Sequence, residues 1–199
     1  MIIVLGIGPG SDDLMINGSS QYLEEAETLI GSSRQLALFP TFKSKAVVLP
    51  KLKDLEIFLK AHIDKKIVIL ASGDPLLYGI GNWVIKKFPG EKIQIVPGIS
   101  AIQYFFHRLK FPMNDVYLTS SHGQVPDFDF LLQHTTIGMV TDQVTGPYEI
   151  AQEIKKRGQH RQVFIGEMLS YPDEKISVAT ELTVKKRNYQ MNVVIITNA

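Results

Sequence analysis

Short β-branched runs alternate with helix-periodic stretches through the first half of the chain, the signature of a parallel α/β sheet. Ile2–Ile7 reads as a fully buried first strand and Ile67–Leu70 as a central one, with shorter strands at Ala46–Leu49 and Ile93–Val96. Between them the apolar positions take a helical period. Tyr22, Leu23 and Ala26 share one face of a helix that starts at Ser19 or Ser20, with Ser20 as its cap. Leu52, Leu55, Leu59 and His62 mark a second helix, and Asn82–Phe88 and Ser100–Leu109 two more. Lys110-Phe111-Pro112-Met113-Asn114-Asp115 has linker chemistry, because proline turns the preceding residue away from helix and Asn-Asp continues the turn. Beyond it the texture changes. Five strand-like runs follow, Val116–Thr119, Thr136–Thr141, Val163–Glu167, Ile176–Leu182 and Asn192–Thr197, with helices at Phe128–Gln133 and Tyr148–Arg157. The last two runs, joined by the polar turn Lys185–Asn188, are expected to form a hairpin. The pattern predicts two α/β domains, residues 1–112 with a mostly parallel sheet and residues 113–199 with a mixed one.

Composition narrows the function classes. Hydrophobic residues make up 45% of the 199, enough for two cores, and a net charge of +1 gives no electrostatic reason to expect nucleic acid. The cluster Lys185-Lys186-Arg187 reads as a solvated turn. The absence of cysteine excludes disulfides, thiolate catalysis and Cys-ligated metals, and fits a reducing compartment. Met1–Leu5 is too short for a signal core or a membrane span and has no basic flank, so a cytoplasmic location and no membrane partner are expected. His62, His134 and His160 share no ligand spacing, and no metal is expected.

Three strand-end loops carry the candidate chemistry. Gly6-Ile7-Gly8-Pro9-Gly10 follows the first strand but is a poor dinucleotide fingerprint: Ser11 stands at the sixth position, and Pro9 removes an N–H from the loop that would hold a pyrophosphate. Ser72-Gly73-Asp74-Pro75-Leu76-Leu77-Tyr78-Gly79 follows the central strand, and Pro97-Gly98-Ile99-Ser100 opens a helix that Ser100 is placed to cap. In a parallel sheet all three loops lie at the carboxyl edge, where ligands of open α/β sheets gather. Three ordinary tight turns is the competing reading of the same glycines.

The combination of GxGPG after the first strand, SGDPLxYG and PGIS resembles the tetrapyrrole methylase superfamily over the full length of the chain. Further segments resemble the members that methylate C5 of a corrinoid precursor (cobalt-precorrin-7, or precorrin-6Y) in cobalamin biosynthesis: Ile30-Gly31-Ser32-Ser33-Arg34-Gln35-Leu36, Thr119-Ser120-Ser121-His122-Gly123, Thr141-Asp142, and the stretch from Gly166 to Glu174. That last stretch is similar to an E-x-L-x-x-x-x-E segment of the family, with Met168 before Leu169 here. The resemblance implies S-adenosylmethionine bound in a cleft between the two domains, a homodimer, and a cobalt-precorrin substrate. The chain ends at Ala199 without the second methyltransferase fused in some relatives, so the C15 methylase-decarboxylase is expected as a separate partner.

By the same resemblance Pro9, Gly73, Asp74, Leu77, Ser100 and Ala101 are the expected cofactor contacts, with Met139 and Glu167 added from the second domain. Asp74 either positions the cofactor or only caps its turn. The substrate carries many carboxylates, which calls for cations and donors. Arg34, Tyr78 and His122 are the candidates. Arg34 competes with a plain surface-helix arginine. His122, the candidate catalytic residue, would accept a proton after methyl addition or bind a propionate, and competes with a solvated turn histidine. His107 and Arg108 read as structural. The alternatives in function are another methyltransferase of the superfamily, acting on a different macrocycle position, an rRNA ribose or a modified histidine, and a non-catalytic tetrapyrrole-binding subunit.

Overall fold

The computed structural model describes residues 1–90 and 92–199. It resolves into two compact units, Met1–Ser100 and Ala101–Ala199. The helix before the Lys110–Asp115 segment therefore packs with the strands that follow that segment.

The first unit is a five-stranded, wholly parallel sheet. Its strands are β1 (Ile2–Gly6), β2 (Thr28–Gly31), β3 (Ala46–Val48), β4 (Ile67–Ala71) and β5 (Ile93–Val96), in the spatial order β3-β2-β4-β1-β5. β1 pairs with β4 (Val4 opposite Ile69) and with β5 (Val4 opposite Ile95), so the strands that carry the three glycine loops are immediate neighbours. β1 and β4 are apolar without alternation because both faces are covered. Ile2, Val4, Ile67 and Ile69 pack under α3 (Leu52–Ala61) and α4 (Ile80–Lys87). Ile3, Leu5, Val68 and Leu70 pack on the other side, under α1 (Ser19–Glu25).

Two local expectations fail here. The cap of α1 is Gly18 at φ 90°, with no side-chain cap bond, and Ser19 and Ser20 lie inside the helix. β2 was not anticipated: four residues ending in glycine carry too little pattern to register, and the strand exists because β4 and β3 flank it.

The second unit is a mixed sheet of β6 (Val116–Ser120), β7 (Thr136–Val140), β8 (Arg161–Glu167), β9 (Lys175–Thr180) and β10 (Asn192–Asn198), in the order β6-β7-β10-β8-β9. β6 and β7 are parallel, and β10 runs antiparallel to both its neighbours. The expected hairpin between the last two strands does not form. β8 lies between them, and the hairpin is β8–β9 instead. Residues Glu181–Met191 are thus a crossing connection, not a turn. Helices α6 (Phe128–Leu131) and α7 (Pro147–Lys156) cover the face that carries Ile137, Met139, Val194 and Ile196. On the opposite face α5 (Ala101–Leu109) sits so close that a Cβ on Gly138 would stand 2.8 Å from Ile102. No helix among the described residues is long and apolar enough to cross a membrane.

Candidate functional site

At the carboxyl edge of the first sheet, the three glycine loops lock into one another through backbone. Gly73, at φ 67°, donates its N–H to the carbonyl of Gly8, at φ 78°, over 2.7 Å. Both positions lie in the left-handed region that glycine enters without strain. A Cβ on Gly6 would come within 2.6 Å of the Gly98 nitrogen, and one on Gly98 would overlap the carbonyl oxygen of Gly73. The glycines of the β1, β4 and β5 loops are therefore required by mutual contact, which independent tight turns would not need.

Asp74 is the clamp. Its Oδ1 accepts from the N–H groups of Leu76 (2.8 Å) and Leu77 (3.2 Å), capping its own turn, and its Oδ2 accepts from Gly98 N–H (3.3 Å) in the neighbouring loop. The turn is braced again by Asn82, whose Nδ2 donates to Leu76 O (2.9 Å), and by Gly81 N–H donating to Pro75 O (3.0 Å). Tyr78 sits at φ 56° with 47% of its surface exposed, a left-handed aromatic residue presented on the rim. Pro9 and Ser100 are buried at this edge and Leu77 is half-buried; Ala101, the first residue of the second unit, is half-buried. The edge as built offers backbone amides and carbonyls, one carboxylate and exposed apolar side chains at Leu76 and Tyr78.

Arg34 lies at the same edge. β2 ends at Gly31, Ser32 caps the short α2 (Ser33–Leu36) in a full capping box with Gln35, and the Arg34 guanidinium donates from Nη2 to Ser72 Oγ over 2.9 Å. It is not a plain surface-helix arginine.

The second unit has its own cleft of about 580 Å³, lined by His122, Thr141, Asp142, Glu149, Lys186 and Arg187 among others. The loops that bear His122 are tightly held. Buried Ser121 donates its hydroxyl to Thr145 O (2.8 Å), and His122 N–H donates to Ser120 Oγ (3.0 Å). Asp142 accepts from Val144, Thr145 and Gly123 N–H at 2.8 to 3.0 Å, so one carboxylate joins the β6 and β7 loops. The amides of Thr145 and then Gly123 hold that carboxyl below its usual range.

Glu167 and Met139, the two second-unit cofactor candidates, turn out to have structural partners. Glu167, 2% exposed, forms a two-pronged pair with Arg187 and accepts Gln190 N–H at 3.0 Å. The Arg187 guanidinium is the main cause of its lowered pKa. Arg187 also stacks on Tyr189, 3.8 Å from the ring centroid, and Lys186 lies 5.8 Å from the centre of the Tyr148 ring. The expectation that Lys185–Arg187 is merely a solvated turn is therefore corrected. Twenty residues separate Arg187 from Glu167, and no local pattern announces the pairing; the one clue is a strand-end glutamate in an apolar run, which needs a cation once buried. The Met139 side chain is fully buried among core residues, and its strand is paired on both sides, with Thr119 and Val194 opposite it. Beyond Glu167 the chain passes through Met168 (φ 47°) and Ser170 (φ 67°), held because Glu174 accepts from Ser170 N–H (2.7 Å) and from Arg108 Nε (2.8 Å). Arg108 is thereby tied to the turn that follows β8. The contacts of Gln35, Ser72 and Arg187 are ones that sequence reasoning overlooked.

The comparisons with known proteins agree with this architecture. The family model of the Tetrapyrrole (Corrin/Porphyrin) Methylases matches residues 1–184. The cobalt-precorrin-7 C(5)-methyltransferase of Salmonella typhimurium is 41% identical over 198 residues, 98% of each chain. A crystal structure of the precorrin-6Y methylase from Archaeoglobus fulgidus superposes with a TM-score of 0.81 at 21% identity, over 100% of this chain and 98% of that one. A uroporphyrin-III C-methyl transferase from Thermus thermophilus, complexed with S-adenosylhomocysteine, superposes at 0.77 and 21% identity, over 98% and 96%. These last two carry the fold, and the family match carries the membership: this chain belongs to the tetrapyrrole (corrin/porphyrin) methylases.

Proposed function

We propose that the chain is the S-adenosylmethionine-dependent methyltransferase that methylates C5 of cobalt-precorrin-7 in cobalamin biosynthesis. The observation that carries this reading is 41% identity, end to end, with an enzyme of that name. The interlocked glycine edge is its physical counterpart. S-adenosylmethionine supplies a methyl group on a sulfonium, so the protein needs no nucleophile of its own. The edge suits it: backbone donors and acceptors for the amino-acid and ribose groups, apolar side chains for the adenine, and a carboxylate beside a cationic sulfur. A pyrophosphate would instead need the amide that Pro9 lacks.

Pro9, Gly73, Asp74, Leu77, Ser100 and Ala101 would line the cofactor, with Asp74 acting mainly by holding the loops in register. Met139 would contribute from the core, as part of the packing beneath the end of its strand. Glu167, fixed by its pair with Arg187, would contribute by anchoring the end of β8 from which the turn held by Glu174 departs. Fixing methyl, sulfur and carbon in line supplies much of the rate for such a displacement. Arg34 would bind a substrate carboxylate, Tyr78 would pack on the macrocycle, and His122 would take the C5 proton or hold a propionate. A homodimer and a separate C15 enzyme complete the proposal.

Calorimetric titration with S-adenosylhomocysteine, alongside NAD, tests the cofactor, and turnover of cobalt-precorrin-7 tests the reaction. Micromolar binding of the first ligand, none of NAD, and a C5-methylated product are expected. Tetrapyrrole binding without S-adenosylhomocysteine binding would leave a non-catalytic subunit.

A further inference from the structure

Gln35 is the buried polar side chain of α2, and a capping box does not explain it fully. Its Oε1 accepts from Ser32 N–H (2.7 Å), which completes the box, and a glutamate would do that equally well. Its Nε2 does something a glutamate cannot. It donates across to the end of β4, to Ser72 Oγ (3.0 Å) and Leu70 O (3.4 Å). Ser72 Oγ also accepts from Arg34 Nη2 at 2.9 Å. A hydroxyl has two acceptor sites and one hydrogen. Arg34 and Gln35 together fill both sites, which fixes the orientation of the hydroxyl and leaves its hydrogen to be donated.

We propose that Gln35 and Ser72 are positioning residues that set the Arg34 guanidinium against the carboxyl end of β4, preorganised for a carboxylate substituent of the macrocycle. The inference rests on the methyltransferase reading above. Its physical content is entropic. A free arginine side chain has on the order of 2 kcal/mol of rotamer entropy to lose when it engages a ligand. Here the helix is only four residues long and would hold its side chain loosely by itself. The amide of Gln35 ties that helix to β4, and the serine receives the guanidinium at a defined point. Ser72 also directly precedes Gly73, so an anion held by Arg34 would lie beside the loop assigned to the cofactor.

The test is a double-mutant cycle on the full chain, read by fluorescence titration with uroporphyrin III, an octacarboxylate tetrapyrrole, and by kcat and KM with cobalt-precorrin-7. Arg34→Ala should weaken porphyrin binding roughly thirtyfold, the scale of a lost charge-assisted hydrogen bond. Ser72→Ala, at an exposed position, should weaken it about five- to tenfold and raise KM with kcat little changed. In the Arg34→Ala background the serine substitution should have no further effect, and Ser72→Thr should restore wild-type affinity. Gln35→Glu, which keeps the cap acceptor, should behave as Ser72→Ala does. S-adenosylhomocysteine affinity and urea midpoint should be unchanged for Ser72→Ala. Additive losses, an Ser72→Ala chain that binds porphyrin as the wild type does, a wild type that binds none, or a parallel loss of S-adenosylhomocysteine affinity would each overturn the inference. Coupled losses in a protein that binds porphyrin but transfers no methyl would instead overturn the methyltransferase reading and leave the carboxylate site standing.

Discussion

Gly6→Ala is the sharpest test of the interlocked edge. Gly6 has no left-handed φ, so alanine brings no backbone strain and the whole effect is steric. Its Cβ would lie 2.6 Å from Gly98 N and 2.8 Å from both Gly98 Cα and Pro97 C, all backbone atoms. Ordinary contact is about 3.5 Å, so the β5 loop must retreat by roughly 0.8 Å or β1 must bend. Neither moves freely. β1 pairs on both sides, and Gly98 is tied to Asp74. Overpacking against such surroundings costs about 2–3 kcal/mol, the upper part of the usual range. The same displacement would move Ser100, two residues beyond Gly98 at the end of the same loop. An error of about 1 Å in a positioned reactant can reduce turnover by about a hundredfold. S-adenosylhomocysteine affinity should therefore fall at least about tenfold, with a urea midpoint shift matching the stability loss. Gly90→Ala serves as control: at φ 86° and with nothing within 4 Å, it should lose about 1 kcal/mol and no affinity. A Gly6→Ala chain with wild-type stability and affinity would refute the loop contact. One that is destabilised but binds normally would show that the contact is real and the cofactor lies elsewhere.

Asp74→Ala leaves three loop amides without their acceptor and should weaken S-adenosylhomocysteine binding more than tenfold, with Asp74→Asn intermediate because one oxygen remains for Leu76 and Leu77. Arg187→Ala strands the buried Glu167. Since the guanidinium is itself 35% exposed, a loss of roughly 2–3 kcal/mol in urea unfolding is expected, below the figure for a fully buried pair. Glu167 has a lowered pKa when folded, so its contribution is fully present above the unfolded glutamate value of about 4.3 and disappears as pH falls below it. The gap between wild type and Arg187→Ala should therefore close below roughly pH 4, and a gap constant from pH 7 to 3 would contradict the ion pair. Asp142→Ala should speed amide hydrogen exchange at Gly123, Val144 and Thr145 while leaving the first unit's exchange unchanged; protection equal to wild type would mean the carboxylate does not join the two loops.

Local pattern was enough for most elements and for a strand-end ligand edge, while the methyl-transfer chemistry came from the family resemblance. Continuous apolar runs at Ile2–Ile7 and Ile67–Leu70 announced buried strands, because side-chain periodicity reports how many faces are covered, and β1 and β4 lie there to within one residue. The glycine and proline loops announced a strand-end site, because close backbone approach demands residues without side chains. What local pattern cannot express is which distant segments meet. Strand order is one case: β8 inserts beside β10 and displaces β9, since pairing free energy depends on the whole sheet and not on the shortest connection. The short β2 is another, a strand only by virtue of its two neighbours. Among polar residues the limit is sharper. Arg187 belongs to a run that reads as a solvated basic turn, and only the fold brings it to the buried Glu167. Gln35 stands in the sequence only as one member of the Ile30–Leu36 segment, and its amide bond to Ser72 spans thirty-seven positions. Asp74 could be read as a turn cap from sequence, but its hold on Gly98 exists only because β1 brings the two loops together. Apolar periodicity and turn chemistry are properties of consecutive residues, so the sequence carries them directly. Partners for buried charges and amides are properties of space, and only the folded chain supplies them.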